Sequence, residues 1–83
     1  MNADTDNRHR HAIELARENR WHEAHELIQN EDDRFACQIH ACLHRIEGDQ
    51  DNARYWYQRA GATVPTCSTD EELAQLADQA AQS

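Results

Sequence analysis

Lysine is absent from this 83-residue chain, whose positive charge is carried by eight arginines against sixteen carboxylates. A formal net charge of −8 repels phosphate backbones and anionic headgroups, which argues against nucleic acid or a membrane surface as a partner. No apolar run approaches the roughly 18 residues of a membrane span. Residues 1–7 are polar and acidic, unlike a secretory signal, so the expected location is the cytoplasm. Only two glycines and one proline are present, and neither a glycine-rich turn nor an oxyanion-hole loop can be traced. Three cysteines make an odd count. Cys37 and Cys42 fall about 140° apart on one helix, too divergent to bridge, so all three are expected as free thiols. Ile, Leu, Val and Phe number only eleven, which with this charge falls where disorder must be weighed.

Periodicity argues for order. Thirteen alanines, two tryptophans and two tyrosines fit a core in which small residues let helices approach closely and a few rings fill the gaps. The length makes one domain, and its patterning predicts an all-α fold of about five short helices. A first helix over residues 8–18, capped by Asp6 or Asn7, turns Ala12, Ile13, Leu15 and Ala16 inward. A second over residues 21–29 gathers Trp21, Ala24, Leu27 and Ile28, with His25 at the edge. The third, residues 33–47, carries two stripes: Phe35, Ile39, Cys42, Leu43 and Ile46 on one side, and Cys37, His40 and His44 on the other. Gly48 can end it in the left-handed conformation, and Asp49 can cap a fourth over residues 51–60, which packs Ala53, Trp56, Tyr57 and Ala60 and ends at Gly61. Ser68, Thr69 and the acids Asp70, Glu71 and Glu72 form a capping-box pattern. They open a fifth helix with Leu73, Leu76, Ala77 and Ala80 inward, expected as a lid on the last pair.

Shifted by 29 residues, the chain matches itself: His11 with His40, Ala12 with Ala41, Glu18 with Glu47, Ala24 with Ala53, Gln29 with Gln58, and Asn19 at the turn with Gly48. The second copy, residues 34–67, resembles a tetratricopeptide repeat through Gly48, the Ala53-x3-Tyr57 element, Ala60 and Pro65. Its first half departs from that pattern, with Cys37, His40 and His44 where the family has Trp, Leu and Tyr. The first copy, residues 5–33, keeps Ala24 and Ile28 but lacks the turn glycine and the proline. The resemblance implies two stacked antiparallel helical hairpins with residues 69–82 as a capping helix, and a short concave groove for a protein or peptide lined by Phe35, Gln38, Cys42, Arg45 and Ile46. It also implies that Cys37, His40, Ala41 and His44 are buried between helices. The stretch from Trp21 to Gly61 is similar, too, to a group of short uncharacterised bacterial proteins, a likeness that implies no activity.

The residues that bear chemistry are the histidines, six in all; protonating every one would bring the formal charge from −8 to −2. His40 and His44, four apart on a helix, share a side with Cys37, and His25 on the neighbouring helix can join them. Together they form a candidate site for a divalent transition metal such as zinc. Buried histidines hydrogen-bonded to carboxylates or carbonyls account for the same pattern without metal. A histidinium beside Cys37 would activate a thiolate, but no oxyanion hole accompanies it. His9, His11 and His22 are expected in solvent. Two functions follow: a non-catalytic interaction module that binds a protein or self-associates, and a small metal-binding protein using His25, Cys37, His40 and His44.

Overall fold

A computed structural model describes residues 3–82 and shows five helices: α1 (Ala3–Arg17), α2 (Trp21–Ile28), α3 (Arg34–Glu47), α4 (Gln50–Ala60) and α5 (Thr69–Ala81). The fold is all-α. Its boundaries follow from the caps. The Asp33 side chain accepts from the Ala36 N–H, Asp49 from Asn52 and Ser68 from Glu71, each satisfying a donor that the first helical turn leaves free. Gly48 and Gly61 end α3 and α4 in the left-handed region, at φ 86° and 71°. The start of α1 differs from expectation: the helix runs through Asp6 and Asn7, so neither caps it, and the acids Asp4 and Asp6 lie in its first turn, where the helix dipole favours them. The expected frayed start falls partly on residues 1–2, outside the described residues.

The two hairpin turns share one backbone pattern at the 29-residue spacing. Asn19 is the one non-glycine residue at positive φ among the described residues, 64°, and stands where the second copy has Gly48. The Arg20 N–H donates to Leu15 O and the Asp49 N–H to His44 O, each at 2.9 Å, with Asn19 to Ala16 and Gly48 to Arg45 beside them. These are the paired bonds of one helix-ending motif, used twice at the same spacing. Each turn folds a hairpin, α1 on α2 and α3 on α4, and α2 and α1 then pack on α3.

The place of α5 corrects the expected lid. It lies across α1 and α3, one helix from each hairpin, rather than on α3 and α4. There Leu73, Leu76 and Ala80 join Ala12, Ile13, Ala16, Ile39, Cys42 and Leu43 in the main core. Each large side chain that is fully buried contributes roughly 1.5–3 kcal/mol relative to exposure. A smaller cluster of Ala41, Ala53 and Tyr57 holds α4 on α3, with Trp56 against it. No described helix is long and apolar enough to cross a membrane.

Two further polar residues are buried, His9 against expectation and Glu72 beyond the capping role its position offered. His9 sits inside, its Nε2 2.9 Å from Asp33 Oδ2 but too bent for a hydrogen bond, and its ring edge-on to Phe35. Glu72, 2% exposed, accepts from Tyr57 Oη–H at 2.6 Å and Arg45 Nη1–H at 2.7 Å, while Arg45 Nη2–H also donates to Cys67 O. Burial and then the Glu72 carboxylate push the Tyr57 hydroxyl and the neighbouring Cys42 thiol well above their ordinary ranges, so both stay protonated. As a fully hydrogen-bonded network tying α3, α4 and the loop to α5, it specifies where α5 docks.

Candidate functional site

The second stripe of α3 faces α2 and α4, and there the chain gathers its rings. One helical turn separates His40 from His44, which aligns their side chains, and the rings lie 4.8 Å apart at 27°. Trp21 begins α2 and donates its Nε1–H to Leu43 O at 2.6 Å, which fixes α2 against α3. One turn later on α2, His25 stacks on Trp21 at 4.8 Å and 8°, and its ring meets that of His40 edge-on at 4.8 Å. On the opposite side Trp56 of α4 stacks on His40 at 3.9 Å, with the Arg59 guanidinium 5.1 Å from the Trp56 ring.

The two imidazoles His25 and His40 approach through nitrogen, Nε2 to Nε2, at 3.1 Å. One ring nitrogen from each of His25, His40 and His44 lies within 4.8 Å of the others. His44 Nδ1 is in close contact with a Glu47 carboxylate oxygen, which orients the ring and leaves Nε2 as its free nitrogen. His40 Nδ1 is buried with no hydrogen-bond partner. His40 and His44 are buried and His25 is half-buried. Burial, and then the proximity of His25 and His44, hold His40 down at about 4; burial and His44 lower His25 as well. At neutral pH His25 and His40 are therefore uncharged, the form in which histidine ligates metal.

Of the four residues expected at a metal site, three converge and Cys37 does not. Its Sγ lies 3.7 Å from Asp32 O, and burial raises its thiol pKa, which removes the basis for an activated nucleophile. The three cysteines are free thiols. Glu47, Trp21 and Trp56 complete the surroundings, and none was singled out for the site from the sequence. The signals were there: Glu47 follows His44 by three residues and Trp21 precedes His25 by four, each on a shared helical face. His11 and His22 are exposed, as expected.

The five groove residues are dispersed. Cys42 is wholly buried under α5, Arg45 is bound to Glu72, Phe35 packs against the main core, Gln38 is half-buried, and Ile46 is 38% exposed. The face they were expected to offer is largely occupied by the chain's own fifth helix. An open cleft of about 390 Å³ lies between α1 and α5, lined by Arg10, Ile13, Arg17, Ala77 and Ala80. It shares no residue with the histidine cluster, and Arg10 is committed there to Ala80 O.

No family model, curated protein or solved structure matches the chain. Its class is thus defined by its own features, an all-α fold of two hairpins and a returning fifth helix, with a part-buried cluster of three histidines where α2, α3 and α4 meet.

Proposed function

We propose that the chain is a small metal-binding protein that holds a divalent transition metal through His25, His40 and His44. The observation that carries this reading is the convergence of three ring nitrogens from two helices, with the His25 and His40 nitrogens 3.1 Å apart. A tetrahedral centre with metal–nitrogen bonds of about 2.0–2.1 Å places its ligand nitrogens roughly 3.3 Å apart; the His25–His40 pair already stands near that spacing, and a His44 nitrogen lies within 4.8 Å of both. Before metal binds, one Nε2–H···Nε2 hydrogen bond between His25 and His40 holds the pair in register. The Glu47 contact to His44 Nδ1 is the carboxylate–histidine support usual behind metal ligands. Imidazole donors suit zinc, copper and nickel. Peptide binding along the α1–α3 face has less support, because α5 lies on it.

Calorimetric titration of metal-free protein with zinc, nickel and copper, together with elemental analysis after dialysis, tests the reading. One equivalent is expected to bind. His25→Ala, His40→Ala and His44→Ala should each weaken affinity at least tenfold, and Cys37→Ala should leave it unchanged. At a free metal concentration of 100 Kd the fold gains about 2.7 kcal/mol, which in a domain of this size raises Tm by roughly 10 °C or more. No uptake, or uptake that His40→Ala leaves intact, overturns the assignment.

A further inference from the structure

Three nitrogens do not complete a coordination sphere, and the donors near them are already engaged. Cys37 is turned toward Asp32 O. Glu47, the carboxylate nearest His44, is spent on that ring's Nδ1. Asp49, which lies within 4.8 Å of His44 and Glu47, accepts from the Asn52 N–H as the cap of α4. The Leu43 carbonyl takes the Trp21 Nε1–H. What remains around the cluster is ring face: Trp21 on His25, Trp56 on His40.

We infer that a metal held by His25, His40 and His44 keeps an open coordination position whose occupant is water or a small monoanion. The inference rests on the metal reading above. Four-coordinate zinc with three protein ligands takes its fourth from outside the chain. Charge selects the occupant. Three neutral imidazoles leave the full 2+ of the ion in a part-buried site whose nearby carboxylates, Glu47 and Asp49, are engaged elsewhere, so an anion gains more there than a neutral ligand does. Exposure sets the route: His40 and His44 are buried and His25 is half-buried, so an incoming ligand approaches along the α2 side.

The test uses the intact chain loaded with one equivalent of cobalt(II), whose visible ligand-field bands respond to the number and kind of ligands. Sodium azide and sodium thiocyanate are titrated in at constant ionic strength, with mass determined by light scattering. The expected result is a saturable, one-to-one shift of the bands in a monomer, retained in Cys37→Ala. Bands that neither anion moves overturn the inference while the metal reading stands. So does azide sensitivity that appears only in Glu47→Gln, which makes Glu47 the fourth ligand. A thiolate charge-transfer band abolished in Cys37→Ala, or an azide-inert dimer in which a second copy closes the sphere, has the same force. Failure to take up cobalt, zinc, nickel or copper removes both the metal reading and this one.

Discussion

Glu72 carries more of the fold than its place in an acidic helix start indicates. Its carboxylate is almost wholly buried and accepts from Tyr57 and Arg45, so truncation strands a half-buried guanidinium and a buried hydroxyl at once. Breaking a buried charge pair from one side costs about 3–5 kcal/mol. Glu72→Ala is therefore expected to lower unfolding free energy by that amount in urea denaturation, and Tyr57→Phe, which removes one charge-assisted hydrogen bond, by about 1.5–3 kcal/mol. Because the two changes share a partner, the double variant should lose less than the sum. Periodicity held the clue to this residue, since Glu72, Leu73, Leu76 and Ala80 form one stripe. His9 likewise precedes Ala12, Ile13 and Ala16 at helical spacing. Residue type outweighed position in both cases: Glu72 was read as part of a helix-start capping pattern, and His9 as a solvated histidine.

Among the elements, α3 is the pivot, the one described helix that packs against all four others. Its two stripes were legible in the sequence because a 3.6-residue period separates them by angle alone. What each stripe meets was not legible, because that depends on how hairpins dock. So Cys42 was expected at a groove and lies in the core, whereas the burial of His40 and His44 between helices is as the repeat register implied. The side-chain direction of Cys37 was out of reach too, since sharing a helical side with His40 does not fix where its sulfur turns. The two helix-ending turns offer a direct comparison at this scale. A side chain added at Gly48 meets no atom within 4 Å, so Gly48→Ala isolates the backbone cost of left-handed geometry, about 1–2 kcal/mol. Asn19 adopts that geometry with a side chain already present, and Asn19→Ala should cost less, about 0.5–1 kcal/mol. Thermal melts of the two variants check the ranking, and equal losses would show that the turns are not equivalent.

For the whole molecule, the returning α5 closes two hairpins into a body of 31 × 26 × 22 Å. An all-α chain was legible from pattern; this closure was not, because the contacts of α5 on α1 join segments roughly 60 residues apart. Stability should depend on pH through the cluster at its interior. His40 titrates at about 4 in the folded protein against an ordinary 6.5, so between those values the unfolded chain binds more protons. Stability of the metal-free protein is therefore complete above about pH 6.5 and falls as pH drops from there toward 4, by no more than about 3 kcal/mol from this group. Urea midpoints measured from pH 7.5 to 4 should decline over that window. In His40→Phe, which keeps a ring against Trp56, the decline should be shallower, and an identical slope would place the titration elsewhere.

Both tryptophans of the chain lie face to face with an imidazole, Trp21 on His25 and Trp56 on His40. An excited indole gives up an electron readily to a protonated imidazole or a bound copper ion, and either acceptor darkens its emission. The protein thus carries two built-in optical indicators, one on each flank of the histidine cluster. Replacing either indole with phenylalanine would let the other be followed alone, so that events at His25 and at His40 could be timed separately in unlabelled protein.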